Sequence, residues 1–502
     1  MDNLIFSGRD GVIILGAYAI IMLVIGYMSG RKDKGLHENM SNYFLAGKNL
    51  GIIALFFTLY ATQYSGNTVV GYTPAAYRVG FSWIQSIFFM TMVIAVYLLF
   101  APRLYVISKK FNFITPADWI QHRFNSKAVT FLSIVLMIWG LGNFMLEQLV
   151  AIGLAVSGLT GGTIPYQMAV IAFILVMLIY EWMGGMKAVA FTDVMQGIVM
   201  MIGIFTFLAG ALYLVGGSFS NVTSYLANAE PAKAGVPDMK TSINWISMVL
   251  LAGLGASVYP QAIQRIYSSK SERILKRSFA RMAWMPPITT GVVFMVGIIG
   301  IMLFPGLDRS GSEQLVGLLA NEVASINGFF YWVMILFFGA IVAAIVSTAD
   351  SALLSLSSMI SNDVYGRYIN KNAPDKKKVF VGKVTGVVMV AILLWIAWNP
   401  PATLYQILVL KLELISQIFP AIVVGIYWKR LSAAPVFWGM FVGAITAGML
   451  TLTGNSTIFG IHGGIIGLAA NLTICVFGSY ITPFTKEKSK HAEEATSINV
   501  SA

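Results

Sequence analysis

Oxygen-bearing side chains follow one face of a long apolar segment near the middle of the chain. The stretch AAIVSTADSALLSLSS, residues 343–358, carries an aspartate at Asp350. The hydroxyl residues at helical spacing from it are Ser347, Ser351, Ser355 and Ser358. Residues with this spacing share one face of an α-helix. Hydroxyls with one carboxylate, and no His or Cys nearby, suit a hard cation that prefers oxygen ligands. The alternative is that the small residues allow close helix packing, which explains the serines but not the charge of Asp350.

The composition of the whole chain indicates the surroundings of this aspartate. The chain has 502 residues, of which 57% are hydrophobic and only 11% are charged, and its mean hydropathy is +0.76. Apolar segments of about 20 residues, the length that crosses a bilayer core, recur along it. These features exclude a soluble globular protein and predict an all-α polytopic membrane protein. The single cysteine, Cys475, excludes a disulfide framework and a cysteine-based metal site.

Thirteen segments have the length and composition of a membrane-spanning helix. They are residues 10–30, 50–77, 82–108, 128–158, 164–183, 189–216, 243–269, 282–305, 328–360, 380–398, 402–427, 433–453 and 459–482. The first lacks a preceding basic region and is too long for a removed signal peptide, so we expect it to be retained. With the N-terminus outside, most of the 33 basic residues fall in inward-facing connections, as the positive-inside rule requires, and Arg265, near the end of the seventh segment, is counted among them. They occur there in small groups between spans, so nucleic-acid binding is not expected.

Ionisable side chains inside a bilayer are costly and usually face an interior pathway. The deep ones in this sequence are Glu147, Asp193, Asp350, Lys411 and Glu413. Two helices also contain signals for a break, which would free carbonyl oxygens to point at an ion. These are ATQYSGNTVVGYTP at 61–74, in the second predicted helix, and GLGASVYP at 253–260, in the seventh. Breaks at corresponding positions five helices apart indicate an inverted repeat with its site at the midplane.

Several short motifs together resemble the solute:sodium symporter family. They run in consistent order from about residue 40 to 430. They are YFLAGK at 43–48, Thr115-Pro116 through Arg123-Phe124, GGMKAV at 184–189 followed by Thr192-Asp193 and Gln196, Gln264-Arg265, STADS at 347–351, and DVY at 363–365. The resemblance implies a five-plus-five inverted-repeat core with broken second and seventh helices, driven by the sodium gradient across an inner (cell) membrane. It implies no organic cofactor.

The resemblance also implies which residues bind sodium. It implies a main sodium site of the backbone oxygens of Ala61, Tyr64 and Ala344 with the hydroxyls of Ser347 and Thr348. Some branches are similar in having a second sodium site, which maps here to Asp193, Ser347, Asp350 and Ser351. Asp350 stands where that pattern has a serine, so the number of coupled ions stays open. An extra carboxylate could tighten a second site, or could pair with a basic group and abolish it.

The sequence indicates the solute-binding residues less clearly than the sodium ligands. The resemblance places a cavity beside the broken second helix, so Gln63, Ser65 and Thr68 are candidate contacts. The other candidates are Glu147, Gln148 and Lys411, with Tyr259 and Tyr64 as candidates for a gate. Glu147 and Lys411 either neutralise each other or bind solute, and in the second case a zwitterion or a small carboxylate fits better than a sugar. The resemblance to the proline-carrying branch suggests proline, but Ala252, Gly255 and Ala256 replace the aromatic residues of that branch, so proline is only one candidate among several.

We therefore expect a sodium-coupled symporter of a small polar organic solute, an amino acid or a small carboxylate, with membrane lipid as its surroundings. A sodium-coupled sugar carrier, a membrane enzyme and a channel are the alternatives. The four histidines lie far apart in the sequence and no hydrolase or metalloprotease motif is present, so catalysis is not expected. The predicted parts are an extra N-terminal helix at 1–40, the core at 41–430, two additional helices at 431–483 and a disordered cytoplasmic tail at 484–502.

Overall fold

The computed structural model describes residues 8–31, 35, 37–160, 162–399, 404–483 and 485–497. Within these residues the chain is almost entirely helical, which confirms the all-α prediction. Its strands are the two-residue segments β1 (Thr457–Ile458) and β2 (Ile461–His462), paired antiparallel as a small hairpin.

The helices of the N-terminal half surround the first predicted break. They are α1 (Gly8–Arg31), α2 (Met40–Leu45), α3 (Ile52–Gln63), α4 (Gly66–Val70), α5 (Tyr72–Val79), α6 (Gln85–Lys110), α7 (Pro116–Phe124), α8 (Lys127–Leu159), α9 (Tyr166–Leu214), α10 (Phe219–Ala229) and α11 (Pro231–Ala234). Short 3₁₀ segments lie at Ala46–Lys48 and Gly80–Ile84.

The helices of the C-terminal half include the second predicted break. They are α12 (Met239–Ala256), α13 (Pro260–Ser268), α14 (Glu272–Met282), α15 (Gly291–Leu303), α16 (Arg309–Glu313), α17 (Leu315–Ser325), α18 (Gly328–Met359), α19 (Asp375–Ala397), α20 (Leu404–Ile415), α21 (Gly425–Tyr427), α22 (Ala433–Leu452), α23 (Gly463–Ile481) and α24 (Lys486–Thr496). A 3₁₀ segment lies at Ser416–Ile418, and π-helical segments at Pro286–Thr290, Ile360–Ile369 and Pro420–Val424.

Both predicted breaks are present. The second predicted helix divides where α3 ends at Gln63, because Tyr64 and Ser65 leave the helical conformation before α4 begins. The seventh divides between α12 and α13, whose axes differ in direction by 50°. Pro260 begins α13, where its missing N–H costs nothing because the first turn of a helix has no partner for it.

The predicted count of thirteen spans is not confirmed. By length and composition, ten helices in the described residues could cross a membrane, or eleven if the bent α12–α13 pair counts as one. The difference arises because two continuous helical stretches, Gly66–Lys110 with 45 residues and Tyr166–Leu214 with 49, each reach into two of the predicted spans.

The longer of these stretches is not one straight helix. Inside α9, Gly185 has a φ of 51°, which only glycine adopts at little cost. A Cβ at this position would lie 2.5 Å from the Tyr43 carbonyl oxygen, so the close approach of α2 also requires glycine. The bend at Gly185 separates two of the segments that the sequence predicts, 164–183 and 189–216.

Helix α18 occupies the centre of the bundle, where it packs against α8, α9, α3 and α4. Its residues from Gly339 to Met359 are buried without interruption, although their sequence includes an aspartate and many hydroxyl groups. A helix that is buried all round in a membrane protein faces other helices rather than lipid. The polar face of α18 therefore meets partners inside the protein.

The tail differs from its prediction. Its polar composition predicts disorder over 484–502, whereas residues 486–496 form α24, which packs against α7. Thr485 caps the helix by accepting a hydrogen bond from the Lys488 N–H, and Ala492 and Ala495 are buried on its inner face. The composition alone did not indicate this helix, because its apolar face consists only of small residues.

Candidate functional site

The first break lies directly against the polar helix α18. Because α3 ends at Gln63, carbonyl oxygens in its last turn lack a helical partner. Gly66, at the start of α4, packs so closely on α18 that a Cβ there would lie 1.9 Å from the Cγ1 atom of Ile345. Glycine at this position allows the unwound backbone to reach the face of α18 that carries the hydroxyl groups.

Four of the five groups predicted for the main sodium site meet at this contact. The Thr348 hydroxyl donates to the carbonyl oxygen of Ala61 at 3.1 Å and to that of Ala344 at 2.9 Å. The Ser347 hydroxyl donates to the Ala344 carbonyl oxygen at 3.1 Å. Tyr64, the fifth, is the residue that ends α3 at the break. All five residues are buried, and the four oxygens that meet here are uncharged.

Asp350 lies one turn further along α18 in a second cluster. Its carboxylate accepts a hydrogen bond from the Tyr180 hydroxyl on α9 and one of 3.3 Å from the neighbouring Ser351. The Ser351 hydroxyl also donates to the Ser347 carbonyl oxygen at 2.7 Å and accepts from Arg265. Through Ser347, this cluster is therefore joined to the main site.

Asp193 completes the second cluster from α9. Its Oδ2 atom accepts a 2.5 Å hydrogen bond from Thr58, whose hydroxyl in turn accepts from the Arg265 Nε at 3.2 Å. The Asp193 Oδ1 atom is buried and has no hydrogen-bond partner among the described residues. Three of the four residues predicted for the second sodium site, Asp193, Asp350 and Ser351, are thus brought together around Arg265, and the fourth, Ser347, is linked to them through Ser351.

Arg265 is the functional residue that sequence reasoning missed. The helix pattern placed it among the basic residues of an inward connection, but it lies within α13 with none of its surface exposed. Its guanidinium donates to Thr58, to Ser351 and to the Gln261 carbonyl oxygen. The Gln264-Arg265 motif was the available signal.

A small cavity of about 50 Å³ opens between the two breaks. Gln63, Ser65 and Thr68 line it from the first break, and Ala252, Ala256 and Tyr259 from the second. Gln63 also connects the breaks, because its amide donates to the Tyr97 hydroxyl at 2.8 Å, which donates to the Ala256 carbonyl oxygen at 3.0 Å.

Glu147 of α8 and Lys411 of α20 both line this cavity and form an ion pair. The Lys411 ammonium donates to the Glu147 carboxylate, and both side chains are 1% exposed. The second carboxylate oxygen accepts a 2.7 Å hydrogen bond from Asn67 on α4. Sequence reasoning missed Asn67, although the abundance of amides in the first break was a signal for it.

The remaining predicted residues lie around or away from the cavity. Gln148 is buried but is not part of the cavity lining, and its side-chain amide has no partner among the described residues. Tyr259 lines the cavity and packs on Phe144 with ring centroids 5.2 Å apart, a position that a gate requires. Tyr64 packs on Tyr60 instead. Glu413, the remaining deep carboxylate, accepts from Thr451 on α22 and is not part of the lining.

A sequence model of the sodium:solute symporter family matches residues 43–443, which include both breaks, both clusters and the cavity. The chain belongs to this family. The match confirms the resemblance read from the sequence motifs. Family membership, together with the apolar helices, identifies the chain as a multi-pass integral membrane protein and a sodium-coupled solute carrier.

Characterised relatives are similar over almost their whole length. The sodium/pantothenate symporter of Escherichia coli is 26% identical over 93% of this chain and 96% of that protein. The sodium/proline symporter of Haemophilus influenzae is 26% identical over 88% of each chain. At this distance the two relatives differ from each other in substrate while keeping the family.

Solved structures show the same fold. A Na⁺-coupled sialic acid symporter in a substrate-bound outward-open state superposes with a TM-score of 0.78 at 20% identity, covering 94% of this chain and 98% of that one. Mhp1, a nucleobase-cation-symport-1 family transporter in a closed conformation, superposes with a TM-score of 0.56 at 16% identity, covering 90% and 97%. These likenesses confirm the inverted-repeat transporter fold that the two breaks predict.

Proposed function

We propose that this symporter imports a small polar organic solute, an amino acid or a small carboxylate, together with Na⁺ bound between α3 and α18. The observation that carries the proposal is the Thr348 hydroxyl, which bridges the carbonyl oxygens of Ala61 and Ala344. This contact joins the broken helix to the central helix at the place where both present oxygen. The solute occupies the adjacent cavity between the breaks.

Coupling follows from the position of the break between the two sites. Na⁺ that replaces part of its hydration shell with these oxygens holds the end of α3 against α18. The same break presents Gln63, Ser65 and Thr68 to the cavity, so an ion that orders it favours the solute-binding conformation. Each ligand then increases the affinity for the other by the same factor. Alternating access releases both to the inside, where the sodium concentration is low.

The proposal also includes a second monovalent cation, which binds at the second cluster. It contains two buried carboxylates, Asp193 and Asp350, and one buried guanidinium, Arg265. With all three ionised the cluster is one positive charge short, and buried charges require compensation. The unpartnered Asp193 Oδ1 atom is the oxygen to which a further Na⁺ would bind. Asp350 thus belongs to the ion-linked network and not to a simple structural pair.

The orientation is part of the proposal. Basic residues flank the spans mainly on one side, which is cytoplasmic by the positive-inside rule. This places the N-terminus outside and the C-terminus inside the cell. The burial of Arg265 removes one residue from the inward side of that distribution and leaves its bias intact. Accessibility of single cysteines introduced at either terminus of a Cys475→Ser variant tests this orientation in intact cells.

The sodium site is tested by uptake into proteoliposomes. Thr348→Ala and Ser347→Ala should abolish Na⁺-dependent solute uptake while leaving expression and folding intact. Thr385→Ala is the matched control, because the Thr385 hydroxyl bonds only to carbonyl oxygens of its own helix. Uptake at the wild-type rate in either site variant would disprove the site. Equal accumulation with K⁺ in place of Na⁺, without a proton gradient, would disprove sodium coupling.

The same vesicles separate a carrier from the other classes. A carrier exchanges labelled for unlabelled solute in a counterflow assay, whereas a channel passes ion current without solute. An enzyme would release a modified product, which chromatography of the vesicle contents detects. Counterflow that depends on Na⁺ is the result expected here.

A further inference from the structure

We propose that the Glu147–Lys411 ion pair selects the solute, and that it opens to receive a zwitterion with its ammonium at Glu147 and its carboxylate at Lys411. This inference rests on the proposed solute cavity and goes further by naming the class of solute. It assigns the two residues to specificity, where the sequence left them as either a mutual pair or solute contacts.

The pair lies where an occupant of the cavity has to meet it. Both side chains line the cavity together with residues of the first break. They are 1% exposed, so in the closed pair both charges are almost fully removed from water. A buried ion pair is weak evidence for stability, because desolvation cancels most of the attraction. The position of this pair in the proposed solute cavity therefore indicates a role in binding the solute.

Lys411 retains donor capacity in the closed pair. An ammonium has three N–H groups, and in the described residues the Lys411 ammonium donates to one oxygen, on Glu147. It also lies 3.8 Å from the centroid of the Phe144 ring and 5.7 Å from that of Tyr259. Ring faces stabilise a cation more weakly than a carboxylate does. A solute carboxylate entering the cavity can therefore engage donors that no protein oxygen occupies.

Glu147 can exchange its contact with Lys411 for a contact with a solute ammonium. One of its oxygens accepts from Asn67, and Asn67 itself lines the cavity on the short helix α4. When Lys411 turns to a solute carboxylate, Asn67 still holds one Glu147 oxygen in place. The other oxygen is then free to accept from a solute ammonium. This arrangement also connects solute recognition to α4, which follows the break that forms the sodium site.

Charge balance excludes the other classes of solute. A zwitterion exchanges two protein–protein contacts for two protein–solute contacts and leaves the cavity neutral. A monocarboxylate would take Lys411 and leave the Glu147 charge buried with only Asn67, while a simple amine would leave Lys411 without a carboxylate. A sugar offers no charge with which to separate the pair. An uncompensated buried charge is costly, so only the zwitterion opens the pair without penalty.

The test is binding by the full-length protein in Na⁺ buffer, measured by thermal shift and by uptake. The probes are the common amino acids and glycine betaine, their nitrogen-free acids, their carboxyl-free amines, and glucose and galactose. The best zwitterion should bind about 100-fold more tightly than either of its single-charge analogues. Tighter binding of an acid, an amine or a sugar, or no binding by any zwitterion, would overturn the proposal.

Charge-removing variants distinguish recognition from a structural pair. Glu147→Gln should reduce the preference for the zwitterion over its acid at least about tenfold, and Lys411→Gln should do the same relative to its amine. A purely structural pair would lower all affinities together. If a single variant fails to fold, the neutral double variant keeps the balance and should lose zwitterion binding. The matched control is Glu272→Gln with Lys276→Gln, an exposed pair of the same residue types on α14.

The two proposals fail in different ways. Zwitterion binding that is unchanged when choline replaces Na⁺ would disprove sodium coupling and leave the solute assignment standing. Na⁺-dependent transport of a sugar would disprove the solute assignment and leave sodium coupling standing. The two series of measurements use the same vesicles, so a general loss of activity affects both and is recognised as such.

Discussion

Two clusters of buried charge lie in this molecule, and they are built differently. In the cavity, Glu147 and Lys411 touch directly and are surrounded mainly by aromatic and apolar side chains. Around α18, Arg265 reaches the carboxylates only through hydroxyl groups, those of Thr58 and Ser351. The first cluster is electrically neutral, whereas the second has one more negative than positive charge when all its groups are ionised.

The difference separates the two ligands of the transporter. A direct, neutral pair can exchange partners with a ligand that itself carries both charges, which is the property of a zwitterion site. A cluster bridged by hydroxyls keeps its carboxylates apart from the guanidinium and leaves the Asp193 Oδ1 atom unpartnered. Such a cluster accepts a single positive charge. The contact geometry thus supports the two proposals, with the direct pair receiving the solute and the bridged cluster receiving an ion.

Removal of Arg265 should have the largest effect. Arg265→Gln leaves Asp193 and Asp350 buried without a counter-charge, which should cost about 3–5 kcal/mol of unfolding free energy. Denaturant unfolding of the purified protein measures the loss. Arg277→Gln, which removes an exposed arginine of α14, should change stability little. Recovery of stability on adding Asp350→Asn would confirm the charge balance, and unchanged stability of the single variant would contradict it.

The cavity pair should respond differently to single and double removal. Lys411→Gln alone leaves Glu147 uncompensated and should destabilise the protein by about 3 kcal/mol. The double variant with Glu147→Gln is neutral and should lose only about 1 kcal/mol, because the two effects are coupled. Unfolding of both variants, compared in a double-mutant cycle, gives the coupling energy. Additive losses would show that the two side chains do not act as a pair.

Neutralising Asp350 should change the ion dependence of transport. Asp350→Asn keeps the size of the side chain but removes one negative charge, so a second Na⁺ loses its compensation. The sodium dependence of uptake should change from a Hill coefficient of about 2 toward about 1, while Thr348→Ala removes the dependence altogether. A Hill coefficient that is the same in wild type and Asp350→Asn would refute the second cation position.

The smallest effect is expected at the edge of the second cluster. Tyr180→Phe removes the hydroxyl that donates to Asp350, and a hydrogen bond to a charged group contributes about 1.5–3 kcal/mol. Because Ser351 still donates to the carboxylate, we expect a loss near the lower value, with sodium-dependent uptake retained. Thermal unfolding measures it. A loss of uptake equal to that of Thr348→Ala would move Tyr180 into the ion site itself.

Much of this protein is determined by local sequence. The length and apolarity of the segments identify a helical membrane protein, because a bilayer permits only internally hydrogen-bonded elements. Glycine and proline at 61–74 and 253–260 locate both breaks, since they weaken helices through local backbone effects. The spacing of Ser347, Asp350 and Ser351 places them on one face of α18. The family motifs identify a sodium:solute symporter from order and residue type alone.

Contacts between distant segments were decided only by the tertiary structure. The sequence could not tell whether Glu147 meets Lys411, because that depends on how α8 and α20 pack, 264 positions apart. It placed Arg265 in a connection, whereas packing buries it between α3 and α18. It predicted a disordered tail at 484–502, whereas α24 forms because α7 offers its small residues a surface. Periodicity reports the face of a helix, but the neighbour that the face meets depends on the arrangement of the whole bundle.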